Sequence, residues 1–286
     1  NNGTGEAFSN VAFSNHVSSF TSSEPTDIGR RGSLSNQYFN GSIDQVRIFT
    51  KSLSSNEVST LNAEDACVHT STTDIVNYPT GTTPVAYYKL DNSSEDYSTG
   101  GDDGTDTNVE YTLGKFGQAA VFSGNGYISG LPTVENTSGE FSVSLWFNTT
   151  VNPSVQHTML GGIKEQGTND SVVAFKMLND GYSKFYLRGT DGTLHILADT
   201  VDATDGNWHH LVGTVSSSSG VFYVDGQQVD SATISNNITV DNLLIGAENN
   251  RATLNPTNYF NGSIDQVRIY DAALTSSQAT ELYNEK

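Results

Sequence analysis

Cysteine and long apolar runs are both scarce in this chain. Cys67 is the only cysteine among 286 residues, which excludes an internal disulfide framework and a zinc site built from cysteines. No stretch approaches the roughly 18 consecutive apolar residues of a membrane-spanning helix. The sequence therefore predicts neither disulfide staples nor membrane insertion, and its length is sufficient to bury a hydrophobic core without them.

Positive charge is the second shortage. The 13 Lys+Arg are outnumbered by 32 Asp+Glu, which gives a formal net charge of −19 at pH 7. A protein with so few cations releases few counterions from a nucleic-acid backbone, and an anionic lipid surface repels it. We therefore expect no nucleic-acid partner and no adsorption to anionic membranes.

Turn-forming residue pairs recur throughout the chain, which has 27 Gly and only 6 Pro. Asp-Gly and Asn-Gly pairs tolerate the positive φ of tight hairpin turns. Between them lie short alternating segments, such as Phe141–Asn148, in which Trp146 falls in the polar phase. The segments Val221–Val224 and Gln227–Val229, joined by Asp225-Gly226, predict a hairpin. Many short strands between such turns predict an all-β sandwich, jelly roll or barrel.

One long segment occurs twice. Tyr38–Phe49 returns as Tyr259–Tyr270 and differs only in its last residue. Each copy is followed by a helix signal, since Ser54 with Glu57 and Thr275 with Gln278 have the spacing of a capping box. The second signal predicts a short helix near residues 276–283.

The distance between the two copies is that of whole domains in tandem and is too long for a solenoid repeat. Residues 1–65 then read as the C-terminal part of a truncated first domain, residues 66–83 as a polar linker, and residues 84–286 as a complete second domain. Because a few strands with a half-covered face make a poor autonomous fold, we expect the chain to be a piece of a larger multidomain protein or oligomer.

A series of short motifs follows in order between Pro84 and Glu285. The motifs are Tyr87–Asp91, Gly114–Ala119, Phe141–Phe147, Asp205–Leu211, Phe222–Gly226, Leu244–Gly246 and Phe260–Tyr270. Their order and spacing resemble the laminin G-like domains of the concanavalin A-like lectins and glucanases. The resemblance implies an all-β antiparallel sandwich, a jelly roll of two sheets, with a short C-terminal helix in each copy.

The amino-acid sequences of the repeat and the linker also resemble those of laminin G-like domains that occur in tandem in large virion proteins of marine phages. This second resemblance implies a location outside the cell or on a virion surface. It also implies neighbouring copies or other virion proteins as partners, in addition to a glycan.

Catalytic motifs are missing from the sequence. Some relatives of this fold carry two carboxylates on one strand, as E-x-D-x-E or E-x-D-x-x-E, to hydrolyse glycosides, and no such run occurs here. The Gln-(Ile/Val)-His strand of related alginate lyases, the G-x-S-x-G elbow and the H-E-x-x-H motif are also absent. We therefore expect that the protein is not an enzyme.

Two aspartates suggest a cation site. Asp265 shares strand parity with Val267 and Ile269, so its carboxylate is expected to point towards the core unless a bulge intervenes, and a buried carboxylate needs a cation or several donors. Asp91, at the end of the first strand, comes close if the first and last strands pair. Together with carbonyls of the acidic loop 96–106 these carboxylates would suit one structural Ca²⁺ per domain; the alternative is that Asp265 accepts hydrogen bonds from donors of the protein without a metal.

Five residues in the polar phase of alternating strands form the predicted carbohydrate site: Trp146, Lys176, Tyr186, Arg188 and His195. An aromatic ring beside cationic and amide donors is how proteins hold sugars. The alternative is that Trp146 lies under a loop and the other four are a solvated sheet face. The adjacent His209 and His210 are open to two interpretations, a metal or proton-transfer role and simple packing beside Trp208.

Two functional hypotheses follow from different classes. The first is a non-catalytic binding or adhesion module that recognises carbohydrate on a host or partner surface. The second is a structural spacer or decoration domain that acts through protein–protein contacts. An accessory domain of a polysaccharide-degrading enzyme is a further alternative to both.

Overall fold

The computed structural model describes Ser54 and residues 79–133, 139–163, 172–189, 192–234, 238, 240–250 and 253–285. The chain divides into two units, Asn1–Ala66 and Cys67–Lys286, and the described residues other than Ser54 belong to the second. The first copy of the repeat, Tyr38–Phe49, and the linker up to residue 78 lie outside the described residues. The tandem arrangement and its boundaries therefore stay predictions.

Almost all of the regular secondary structure in the described part of the second unit is strand. The strands are β1 (Ala86–Tyr88), β2 (Thr105–Leu113), β3 (Gln118–Ser129), β4 (Phe141–Asn148), β5 (His157–Ile163), β6 (Val172–Met177), β7 (Tyr182–Arg188), β8 (Leu194–Asp202), β9 (Trp208–Val215), β10 (Ser219–Val224), β11 (Gln227–Thr233), β12 (Asp241–Ile245), β13 (Glu248–Asn249), β14 (Pro256–Thr257) and β15 (Asn261–Tyr270). One helix, α1 (Ser276–Tyr283), follows them. The predicted all-β class and the position of the C-terminal helix are both confirmed.

The strands pair in the order β11-β10-β9-β4-β15-β3-β12-β5-β6-β7-β8, and every strand pair is antiparallel. β3 joins the layer that contains β4, β9, β10 and β15 to the layer that contains β5, β6, β7 and β8. β1 pairs with β15, so the first and last strands of the domain are neighbours, as expected. This is the predicted antiparallel jelly-roll sandwich.

The core lies between the two layers and is rich in phenylalanine. The rings of Phe175 and Phe185 in one layer and Phe222 in the other have centroids 5.1–6.0 Å apart. Gly213 on β9 faces Phe185, and a Cβ at that position would lie 2.4 Å from the ring. The glycine therefore lets the two layers approach closely at this point.

The hairpin between β10 and β11 forms as the Asp-Gly pair predicts. Asp225 has φ 49° and Gly226 has φ 75°, the left-handed values that a two-residue hairpin turn of this kind requires. Val224 pairs with Gln227 across the turn. The Asp225 side chain also binds β9, because its Oδ1 accepts a hydrogen bond from the backbone N–H of His210 at 2.8 Å.

Helix α1 begins with the predicted capping box. The Thr275 hydroxyl accepts from the Gln278 backbone N–H, and the Gln278 side chain accepts from the Thr275 N–H. Ala279 and Leu282 bury the inner side of the helix. The only helix of the described residues is thus a short amphipathic one, and none of them forms a helix long and apolar enough to cross a membrane.

Strand β4 is buried on both of its faces, including the face of its polar phase. Every residue of β4 except Asn148 is buried. The second face is covered by α1 and by the turn between β2 and β3, since Trp146 contacts both Tyr283 and Phe116. Alternation identified the strand, but it did not show that a distant helix covers the polar phase.

Candidate functional site

A groove of about 510 Å³ opens on the outer side of the β5–β8 layer. Strands β6 and β7 form its floor, β5 contributes one wall, and the β13–β14 hairpin with its flanking residues forms another. The lining residues are Gln156, Ile163, Val172, Lys176, Tyr186, Arg188, Leu194, Glu248, Asn249, Asn250, Thr257 and Asn258. The volume lies within the range of small-ligand sites in proteins.

Glu248 is the polar centre of this groove. Its Oε2 accepts a hydrogen bond from the Lys176 ammonium at 2.5 Å. Its Oε1 accepts from the side-chain amides of Gln156 and Asn258, both at 2.6 Å. Because Lys176 and Glu248 are 6% and 8% exposed, these donors fix the carboxylate in one orientation, which prepares the site for a ligand.

Tyr186 supplies the aromatic surface of the groove. It is half-buried on β7, beside the apolar Ile163 and Val172 that also line the groove. The Lys176 ammonium lies 4.8 Å from the centroid of its ring. Desolvation, followed by the charges of Asp180 and Glu248, raises the pKa of the Tyr186 hydroxyl, so the side chain is a neutral hydroxyl at neutral pH.

Three of the five residues of the predicted carbohydrate site come together here. Lys176, Tyr186 and Arg188 all line the groove, because alternate residues of β6 and β7 face the same side of the sheet. The sequence analysis missed Glu248, Gln156 and Asn258. They lie in or beside the short β13–β14 hairpin and before β5, where no alternating pattern marks them.

Trp146 does not belong to this groove, so its predicted place on a common exposed face needs correction. It is 1% exposed and lies in the other layer. Its ring stacks on Tyr283 of α1 at a centroid distance of 5.6 Å and also contacts Phe116 and His210. The ring therefore has no free face for a sugar.

His195 also needs correction, because it lies on the other face of β8. It pairs directly with Leu187, whose side chain is in the core, and directly opposed residues share a face of the sheet. The β8 residues on the groove side are instead Leu194 and Ile196, which pair with Arg188 and Tyr186.

Asp265 and Asp91 both bind the turn between β2 and β3. Asp265 is fully buried, but not on the face that strand parity predicts. A bulge at Gln266, whose φ is 51°, shifts the register, so that Asp265 pairs with Trp146 whereas Ile269 pairs with Val143 of the core face. Asp265 Oδ2 accepts from the backbone N–H of Phe116 at 2.9 Å. Asp91 Oδ1 accepts from the N–H of Gln118 at 2.6 Å. Burial, and to a smaller extent the charge of Asp91, raises the pKa of Asp265 to about 8.

The calcium prediction has one feature in its favour and one against it. Asp265 Oδ1 is buried and has no hydrogen-bond partner among the described residues, which is the acceptor that a cation would use. Against it, no group of three or more His, Cys, Asp or Glu that could hold a metal occurs within the described part of the chain. Ca²⁺ at these carboxylates stays a prediction.

His209 and His210 have opposite surroundings. His209 Nδ1 lies 2.8 Å from Asp225 Oδ2, and this contact, with one to Asp205, raises its pKa. His210 is fully buried, its Nε2 lies 2.8 Å from the Ser144 hydroxyl, and desolvation lowers its pKa to about 3. Both rings are held by local partners, which favours the packing interpretation over a metal or proton-transfer role.

The buried His210 makes a prediction about pH. Its folded-state pKa lies below the unfolded value of about 6.5, so its contribution to stability is fully present above about pH 6.5. That contribution is lost as the pH falls from 6.5 towards 3, by up to about 1.4 kcal/mol per pH unit. Urea unfolding of the wild type and His210→Gln at several pH values measures this contribution, because the other titrating groups cancel when the two free energies of unfolding are subtracted. A difference that does not change across this window would contradict the assignment.

Known proteins share the fold described above. A family model described as the concanavalin A-like lectin/glucanases superfamily matches residues 122–280. No match was found among curated proteins.

Three solved structures show the breadth of the structural similarity. Domain 4 of AbnA, an extracellular GH43 arabinanase from Geobacillus stearothermophilus solved with arabinotriose, has a TM-score of 0.56 and 24% identity and covers 71% of this chain and 99% of that one. The binding domain of Paraclostridial Mosquitocidal Protein 1 has a TM-score of 0.52 and 18% identity and covers 66% and 49%. The binding domain of botulinum neurotoxin DC in complex with SialylT has a TM-score of 0.53 and 14% identity and covers 70% and 50%. This chain thus spans about half of the two toxin domains, and at these identities the similarity shows the fold alone.

Proposed function

The chain belongs to the concanavalin A-like lectin/glucanase superfamily, and from this premise we propose that its second unit is a non-catalytic carbohydrate-binding module. The binding site is the groove around Glu248, Lys176 and Tyr186. The protein acts outside the cell or on a virion surface, where it recognises a glycan on a host or partner surface.

The arrangement around Glu248 is the observation that carries this proposal. A fixed carboxylate–ammonium pair lies beside a half-buried tyrosine ring, with side-chain amides from Gln156 and Asn258 around it. A sugar presents hydroxyls that both donate and accept, and C–H faces that pack on aromatic rings. The groove offers a partner for each of these groups.

The same groove lacks the requirements for glycoside hydrolysis. Most glycosidases need two carboxyl groups on either side of the scissile bond. Among the described residues that line the groove, Glu248 is the only carboxylate, and it is bound by three donors. This supports a binding role over a catalytic one.

The likeness to AbnA domain 4 supports an accessory role beside a polysaccharide-degrading enzyme equally well, since that domain was solved with arabinotriose.

A structural spacer remains the second candidate, because Leu194 and Ile196 on the edge strand β8 are 38% and 47% exposed beside the groove. Neighbouring copies or virion proteins could cover them. The binding experiment below separates the glycan and spacer roles.

Tyr186→Ala is the direct test of the glycan role. The full chain is titrated with a panel of oligosaccharides that includes arabinotriose, and affinities are measured by isothermal titration calorimetry. Loss of the ring is expected to weaken binding of every sugar that binds by about tenfold or more, because the stacking face is removed.

Leu113→Ala is the matched control, because Leu113 is 80% exposed on β2 and does not line the groove. It should bind as the wild type does. If the wild type binds no glycan of a broad panel, or Tyr186→Ala binds as tightly as the wild type, the module or its site is wrong and the spacer role gains support.

A further inference from the structure

We propose that this groove selects neutral, hydroxyl-rich glycan segments and rejects segments that carry carboxylate or sulfate groups. The inference rests on the proposed carbohydrate-binding function and adds the chemical class of the ligand. Glu248 is the residue that determines the specificity.

The first argument is the remaining acceptor capacity of Glu248. An ionised carboxylate offers about four acceptor positions. The protein fills three of them with Gln156 Nε2, Asn258 Nδ2 and Lys176 Nζ. The free position accepts one hydrogen, which a sugar hydroxyl can donate and an ionised carboxylate or sulfate cannot.

The second argument is that the cationic side chains of the groove already interact with groups of the protein. Lys176 is bound to Glu248 and lies over Tyr186, so its charge is balanced within the site. Arg188 also interacts with groups of the protein. An anionic ligand would have to compete for these cations, whereas a neutral hydroxyl leaves their interactions in place.

The third argument is the charge of the whole chain. A formal net charge of −19 gives the protein a negative potential that lowers the local concentration of anionic glycans. The effect is screened by salt over about 8–10 Å at physiological ionic strength. The negative potential of the chain and the acceptor position of Glu248 therefore both favour neutral ligands over anionic ones.

The test compares two ligand classes on three proteins. The full-length wild type, Glu248→Gln and Tyr186→Ala are titrated with neutral hexasaccharides from xylan, glucan, mannan and arabinan, and with oligogalacturonate of the same length. The wild type is expected to bind its best neutral ligand at least about tenfold more tightly than oligogalacturonate. In Glu248→Gln, this ratio is expected to fall at least tenfold, because the variant loses the acceptor charge and leaves Lys176 unbalanced. Tyr186→Ala should weaken both classes by the same factor, since ring stacking does not depend on ligand charge.

A salt series on the wild type gives an independent readout if Glu248→Gln does not fold. Neutral-ligand affinity should not change with salt, and oligogalacturonate affinity should rise with salt, because screening weakens repulsion.

Three outcomes overturn the inference. They are oligogalacturonate binding to the wild type as tightly as neutral ligands bind, an oligogalacturonate affinity that falls as salt rises, and a class ratio that is unchanged in Glu248→Gln. If oligogalacturonate binds tightly and Tyr186→Ala abolishes that binding, the glycan function stands and only the selectivity is wrong. If the wild type binds no glycan, both proposals fail.

Discussion

Trp146→Ala is expected to lower the free energy of unfolding by about 3–5 kcal/mol, the range for removing a large buried aromatic side chain. The indole fills the space between β4, Tyr283 of α1 and Phe116 of the β2–β3 turn. Its removal leaves a cavity beneath three elements that cannot all close over it. Urea unfolding at pH 7, followed by circular dichroism, measures the change.

Trp146→Phe is the matched variant, because it keeps a ring in the same place and should cost clearly less. Neither variant should change the affinity of the groove for glycan, since Trp146 lies in the other layer of the sandwich. If the alanine variant is nearly as stable as the wild type but no longer binds glycan, Trp146 belongs to the ligand site and its assignment to the packing beneath α1 is wrong.

Asp265→Ala is expected to cost about 2–4 kcal/mol, the range for leaving buried polar partners unpaired. The carboxyl group ties β15 to the turn between β2 and β3, and alanine leaves the Phe116 N–H without its acceptor. The turn packs closely on this carboxylate, because a Cβ at Gly114 would lie 2.7 Å from Asp265 Oδ2. Chemical denaturation of the variant and the wild type measures the difference.

Asp271→Ala is the control, since Asp271 is exposed one residue after β15; it should cost under about 0.5 kcal/mol. Equal midpoints for the two variants would mean that Asp265 contributes no more than a surface residue. Ca²⁺ adds a separate expectation: EDTA should lower the melting temperature of the wild type and leave that of Asp265→Ala unchanged. If EDTA has no effect on the wild type, the acceptor role of Asp265 stands without a metal.

Local chemistry made several parts of the fold predictable. Asp225-Gly226 predicted its hairpin, and Thr275 and Gln278 predicted the start of α1. Each of these depends on neighbours within a few positions, where backbone geometry and side-chain period are encoded directly. Lys176, Tyr186 and Arg188 were found for the same reason, because each lies on the outward phase of its strand.

The rest required contacts between residues far apart in the chain. Lys176 meets Glu248 across 72 positions, and no local pattern predicts which loop reaches a given strand face. The burial of Trp146 likewise depends on α1 folding back over β4, and the place of His195 depends on the register between β7 and β8. The sequence by itself determined the strands, turns and helix cap of this protein. Only the tertiary structure decided which polar phases are covered and which polar groups meet, because these depend on packing between distant elements.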